Sequence, residues 1–267
     1  MTLPLITLLT DFGTNDIYVA AMKGAIYSVN PHARVVDLTH EITAHDVEEG
    51  AWMLLAAYNA FPGGTIHVAV VDPSVGSTRR AVLVAGRNGL FVAPDNGLLS
   101  YVIEEEKDCR FFHLTNERHF RPQVSRTFHG RDVFAPVAAW LAKGVAPAEF
   151  GEEIFDPARL KPLAPMRTSD GRLEGRIMHI DVFGNCITNI KRENLSSEAM
   201  ERGAYLQVSD FEIRAFKSFF ADGKEDAKGL FTLWGSADFL EVAAYRASAA
   251  RILNAKRGDP VTLIENE

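Results

Sequence analysis

Short apolar runs alternate with helical spacing through the first half of the chain. Residues 5–10 read as a buried strand, and Asp11-Phe-Gly-Thr-Asn-Asp16 follows it. The next segment has helical period, with Ile17, Ala21, Gly24 and Ala25 expected on one face, until Asn30-Pro31 stops it. A second strand is predicted over 34–39. Asp46-Val-Glu-Glu49 is a capping-box pattern opening a helix that buries Val47, Ala51, Leu54, Leu55 and Tyr58. Pro62-Gly-Gly64 turns into 65–71, the clearest strand of the chain, and further strands are predicted at 81–85, 90–93 and 110–114. Helices are expected over 97–105 and 132–143. Such alternation predicts an α/β fold whose central sheet is mainly parallel.

The pattern changes near residue 155. Residues 156–170 hold Pro157, Pro162 and Pro165 without periodicity and read as a linker. Beyond it come short β runs at 172–180, 187–190, 205–208, 212–216, 230–233, 239–242 and 261–264, punctuated by Gly203, Gly223, Gly229 and Gly258. The prediction is an α/β domain over 1–155, a linker over 156–170, and a smaller all-β barrel or sandwich over 171–267.

Composition narrows the function without naming it. With 267 residues, 47% hydrophobic and 24% charged, the chain is globular and long enough for two cores. A net charge of −7 and the lack of a basic run argue against a nucleic-acid partner, since phosphate neutralisation needs clustered Lys and Arg. No apolar run approaches the ~18 residues of a membrane span. Cys109 and Cys186 are too few and too far apart for a disulfide framework. The N-terminus carries no basic segment or cleavage-like site, and the expectation is a cytoplasmic protein.

Candidate chemistry gathers at strand ends, because ligands of open parallel sheets bind outside the carboxyl ends of the strands. Asp11 and Asp72 each follow a predicted strand, and if those strands are parallel neighbours the two acids share a rim. Asp72-Pro-Ser-Val-Gly76 is a rigid turn with Arg79 seven residues after the acid, and of Arg79 and Arg80 one is expected to face the rim. Thr127-Phe-His129-Gly-Arg131-Asp132 precedes a helix, with Asp132 expected as its cap. Asp11-Phe-Gly13 mimics a kinase triplet, but no catalytic loop precedes position 11. No dinucleotide or Walker loop is present, and no His/Asp/Cys spacing suits a metal, so none is expected.

Five motifs together carry a resemblance. Asp11-Phe-Gly-Thr-Asn-Asp16, Val71-Asp-Pro-Ser-Val-Gly76 with Arg79, Ala93-Pro-Asp-Asn-Gly97, Thr127-Phe-His-Gly-Arg-Asp132, and Asp181-Val-Phe-Gly-Asn185 with Thr188-Asn189 occur in this order. The sequence resembles the S-adenosyl-L-methionine hydroxide adenosyltransferases, relatives of fluorinase and chlorinase. The resemblance implies an N-terminal α/β domain, a C-terminal β domain, and a homotrimer with sites at subunit interfaces. It also implies attack of water-derived hydroxide on ribose C5′ of S-adenosylmethionine, releasing adenosine and methionine, with no cofactor beyond that substrate.

Carried over by motif, the resemblance implies a catalytic set of Asp72, Arg79 and His129. Asp11 matches the carboxylate that holds the ribose hydroxyls, and Asp16 and Asp181 match acids near the methionine ammonium. Phe183 and Asn185 match residues around the nucleoside. Ser236, in Trp234-Gly-Ser-Ala-Asp238, matches a serine near the methionine carboxylate, but Ala237 stands where the halogenases have an arginine. Two rival readings are a halogenase of the same fold and a non-catalytic nucleoside-binding module. The halogenases replace the Asp–Arg–His set, and fluorinase has an N-domain insertion. Here the set is intact and 82–94 runs without an insertion.

Overall fold

In a computed structural model the structure is described for residues 5–225 and 229–265. The described chain divides into two compact units between Pro162 and Leu163, inside the proline-rich segment.

Unit 1 is built on a seven-stranded sheet. Its strands are β1 (Leu5–Thr10), β2 (Arg34–Thr39), β3 (Thr65–Val70), β4 (Ala81–Ala85), β5 (Gly89–Pro94), β6 (Arg110–His113) and β7 (Glu153–Ile154), in the order β2-β1-β3-β5-β4-β6-β7. The sheet is mixed rather than mainly parallel. β2, β1, β3 and β5 run parallel, whereas β4 pairs antiparallel with β5 and β6, and β6 with β7. The reason lies in Gly86-Arg-Asn-Gly89. That turn joins β4 to β5 too tightly for a crossover, and Gly86 N–H donates to the Gly89 carbonyl at 3.0 Å.

Helices cover both faces, as alternate strand positions require. Ile6, Leu8, Ile66, Val68 and Val70 share a core with α1 (Tyr18–Val29) and with the helix at 135–142. The opposite parity meets α2 (Val47–Tyr58), where Gly50 comes against Leu9, Val71 and Leu98. Asp46 caps α2 by accepting from the Glu49 N–H at 3.0 Å. α1 buries Val19, Met22, Ala25 and Ile26, so its inner face is turned from the one expected, and Ile17 is 77% exposed. α3 is short, Ser100–Glu105, because Gly97 takes φ +96° and turns the chain first. A π-turn over Gly130–Phe134 leads into α4 (Ala135–Ala142). Asp132 is therefore not a helix cap; it lies inside the wide turn, fully buried.

Unit 2 is a nearly closed antiparallel barrel-like sheet, ordered β12-β11-β15-β9-β10-β14-β13, with β8 (Met166–Arg167) beside β9 (Leu173–Ile180). The others are β10 (Cys186–Lys191), β11 (Tyr205–Val208), β12 (Phe211–Ile213), β13 (Leu230–Trp234), β14 (Phe239–Ala244) and β15 (Pro260–Ile264). A parallel bridge from Phe216 to Thr232 ties the end after β12 to β13. Two one-turn helices, α5 (Ser197–Glu201) and α6 (Ala249–Leu253), lie outside the predicted strands. Among the described residues no helix is long and apolar enough to cross a membrane.

Candidate active site

Parallel pairing of β1 with β3 sets Thr10 beside Val70, so Asp11 and Asp72 follow the carboxyl ends of adjoining strands. Asp11 Oδ2 accepts from the His45 N–H at 2.9 Å, which ties it to the loop before α2. Asp16 is exposed, just before α1.

The Asp72 turn is organised by an ion pair. Arg79 Nε donates to Asp72 Oδ1 at 2.9 Å and its Nη2 donates to Oδ2, a bidentate arrangement. The two side chains are 5% and 8% exposed, so water screens them little. Nη2 also donates to His129 Nδ1 at 2.8 Å. A guanidinium has no acceptor, so Nδ1 accepts and the neutral ring carries its proton on Nε2. Burial first, and then the Arg79 charge, hold His129 below the ordinary imidazole range, so the neutral ring is the form at neutral pH. Arg80 turns elsewhere, to Asp95 and Asp156, both at 2.7 Å.

Asp72 and His129 line a cavity of about 170 Å³. Phe12, Tyr18 and Phe128 form an aromatic wall around it, with ring centroids 5.2 to 5.8 Å apart. Arg79 is not among its lining residues and holds the other two from behind. The loop that carries His129 can approach because of Gly76. At φ +80°, a Cβ there would lie 2.2 Å from the Arg126 carbonyl oxygen.

Unit 2 has its own cavity of about 920 Å³, lined by 180–185, Phe220, 244–248, Ala250 and Arg251. Asp181 builds its edge rather than standing free in it. Asp181 Oδ1 accepts from the N–H groups of Phe183 at 2.9 Å and Asn185 at 2.8 Å, and its Oδ2 accepts from Asn185 Nδ2 at 2.8 Å. The turn so held leaves Val182 92% and Phe183 76% exposed. Gly184, at φ +87°, lies where a Cβ would meet Ser248 Oγ at 2.1 Å, so the turn closes directly onto the start of α6. Ser236 is exposed in the β13–β14 turn and does not line this cavity. Its turn neighbours the far end of β10, where Lys191 pairs with Phe239 and Arg192 Nε meets Asp238 Oδ1 at 2.9 Å.

Sequence reasoning missed Tyr18, Phe128, Phe220, Tyr245 and Arg246 as cavity residues. Ser248 before Ala-Ala-Arg is an N-cap cue that would have flagged the second wall of the unit 2 cavity, and its Oγ does accept from the Arg251 N–H at 3.2 Å. Among the described residues no group of three His, Cys, Asp or Glu side chains is placed to hold a metal ion.

The sequence profile of the SAM hydroxide adenosyltransferase N-terminal domain matches residues 6–151, and that of the C-terminal domain matches 175–262. The chain belongs to this family. An (R)-S-adenosyl-L-methionine hydrolase from Methanocaldococcus jannaschii is 34% identical over 98% of this chain and 96% of its own. A fluorinase from an Actinoplanes species is 30% identical, over 97% of each chain. Within the same fold, the crystal structure of an uncharacterized conserved protein from Thermotoga maritima superposes with a TM-score of 0.91 at 33% identity. It covers 98% of this chain and 100% of that one. The family's two profiles fall one on each unit of the structure.

Proposed function

We propose that this chain hydrolyses S-adenosyl-L-methionine to adenosine and L-methionine by in-line attack of water at ribose C5′. The observation that carries the reading is the Asp72–Arg79–His129 chain, with its ion pair buried and two of its members lining the unit 1 cavity. A sulfonium leaves as a neutral thioether, so the leaving group needs no acid. The difficulty is a weak nucleophile that must lie in line with the C5′–S bond, and positioning supplies roughly 7–11 kcal/mol of such a barrier.

Each Asp72 oxygen carries one Arg79 N–H, and Oδ1 also accepts loosely from the Ser74 hydroxyl at 3.5 Å, so Oδ2 is the oxygen with a lone pair free for the water. Asp72 takes the water's proton as the oxygen–C5′ bond forms, the C5′–S electron pair goes to sulfur, and the proton then passes to solvent. His129, neutral with its proton on Nε2, serves as a donor that steadies the developing hydroxide rather than as a base. Arg79 fixes both. Asp11 holds the ribose hydroxyls and Asp16 meets the methionine ammonium. Asp181 shapes the turn that offers Phe183 and Asn185 to the nucleoside. Ser236 meets the methionine carboxylate.

A homotrimer, with the N-domain of one subunit facing the C-domain of its neighbour, completes this reading. A cytoplasmic setting fits the two free thiols of Cys109 and Cys186. No metal or cofactor takes part. Dialysis against a strong chelator therefore leaves the rate unchanged, and loss of activity with recovery on Mg²⁺ or Zn²⁺ would replace this mechanism by metal-assisted hydrolysis.

The deciding experiment is incubation with S-adenosylmethionine, followed by chromatography for adenosine and methionine. The hydrolase relative is named for the R sulfonium epimer. We extend that preference to this chain, so the separated epimers are assayed side by side. Release of adenosine from the R epimer alone is the expected result. Binding without turnover would make the chain a nucleoside-binding module, and a 5′-halogenated nucleoside in the presence of halide would make it a halogenase.

A further inference from the structure

We infer that Asp132 is a positioning residue for the proposed hydrolysis, acting by holding the loop that delivers His129. The inference rests on the hydrolase reading for its kinetic consequence but on geometry alone for its structural one. Residues 121–128 contain no helix or strand, and most of them are exposed, so the loop has little packing of its own to fix it. What fixes it is a carboxylate that is fully buried.

Asp132 Oδ2 accepts from the Ser125 N–H at 2.9 Å and from Arg131 Nη2 at 3.0 Å. Its Oδ1 accepts from Arg131 Nε at 2.7 Å and, more loosely, from Arg121 Nη1 at 3.4 Å. Its backbone takes part as well. The carbonyl accepts from the Arg121 N–H at 2.9 Å, and the N–H donates to the Phe128 carbonyl at 3.1 Å. The start, middle and end of the loop thus converge on one residue. Ser125 Oγ extends the set by accepting from the Phe128 N–H at 3.0 Å.

What this anchor delivers is the cavity wall. Phe128 stands in the aromatic trio, and Arg131, held by Asp132, lies with its Cζ 5.1 Å from the Phe128 ring. His129 follows at the head of the π-turn, with Nδ1 on Arg79. A π-turn carries one extra residue per turn and is rarely kept without a constraint. Here the constraint is the buried carboxylate, which must sit inside the turn to reach Ser125. Asp132 touches no cavity surface itself. Its influence on the reaction runs through His129.

The test is a double-mutant cycle. D132N in the intact chain is expected to lower kcat by 10- to 100-fold while leaving the Kd for S-adenosylmethionine within threefold. In an H129A background the same change is expected to cost less than threefold, since there is no imidazole left to misplace. Equal losses in both backgrounds, or a kcat unaltered by D132N, overturn the inference. Ring-nitrogen NMR gives a readout independent of turnover. The wild-type His129 is expected to show one fixed tautomer protonated at Nε2, and D132N to show exchange between tautomers; an unchanged spectrum overturns the inference. Should D132N fail to fold, R131Q removes the guanidinium donors that hold the carboxylate and is read by the same cycle and spectrum, with a smaller loss of kcat expected. A wild-type chain that releases no adenosine defeats the hydrolase reading and leaves the spectroscopic test intact.

Discussion

The two cavities are built by opposite means. In unit 1 a small cavity is bounded by side chains already locked to one another, with the Asp72–Arg79 pair buried and His129 held on the same guanidinium. In unit 2 a cavity more than five times larger is edged by backbone, through a turn that Asp181 folds and Gly184 presses onto Ser248. The first has the rigidity that placing a nucleophile demands. The second has the size of a small-molecule cleft and exposes Phe183. On the proposed reading, chemistry falls to the first and recognition to the second, and the two are made in different ways.

The strongest way to break this division is at the ion pair. D72N is expected to cut kcat by 10² or more, the scale of a lost general base, with substrate affinity changed only several-fold. Adenosine release and calorimetric titration measure the two separately. Equal activity in variant and wild type would remove Asp72 from the mechanism. R79A should also cost about 3–5 kcal/mol of stability, because it strands a buried carboxylate.

Next in size is a pH contrast between the units. Burial pushes His67 down to about 4, so the unfolded chain takes up its proton near pH 6.5 and the folded chain only near 4. Its contribution is whole above pH 6.5 and falls by about 3 kcal/mol as pH drops to 4. Glu241 in unit 2 runs the other way. Burial, with Asp181 nearby, lifts it to about 7, so its contribution is present below its ordinary 4.5 and is lost as pH rises through 7. Hydrogen exchange across pH 4 to 8, resolved by unit, should show unit 1 losing protection on the acid side. H67Q should flatten that loss.

A smaller effect is expected at Gly184. G184A forces a Cβ toward Ser248 Oγ in a left-handed conformation and should raise KM about tenfold, equivalent to ~1.4 kcal/mol, with kcat nearly kept. A fall in kcat alone would mean that unit 2 does more than bind.

Last comes complementation. Co-refolding D72N with the double variant D181A/F183A at equal amounts should return about a quarter of wild-type activity, since in a mixed cyclic trimer each half of a shared site is intact with probability one half. A mixture that stays dead despite verified subunit exchange would confine the site to one chain.

What was legible in the sequence followed from local rules. The strands of the parallel half, the Asp46 cap and the acids at two strand ends are periodicity and turn chemistry, and they stand where expected. The antiparallel half depends on the tight Gly86–Gly89 turn between β4 and β5, which strand–helix alternation does not disclose. An acid before a helical run reads as a cap, whereas Ser125, Arg131 and Arg121, distant or unmarked in the sequence, converge on Asp132 in the fold. Arg246 and Phe220 carry no periodic signal at all, since their place at a cavity depends on β14 ending beside the 181–185 turn.

The close approach of Gly76 to Arg126 bears on how the site fails when the protein is stressed. The two residues are separated by β4, β5, α3 and β6, so their contact closes a long loop. Pairing β1 with β3 closes a loop of similar length, but there a whole ladder from Ile6–Ile66 to Thr10–Val70 shares the closure, whereas Gly76 meets Arg126 at a single point. Under mild denaturant the single contact is expected to open before that ladder parts, taking His129 away from Arg79 while the sheet persists. If His129 serves the reaction as proposed, activity is expected to fall before secondary structure does, and a preparation with a native circular dichroism spectrum would then already be inert.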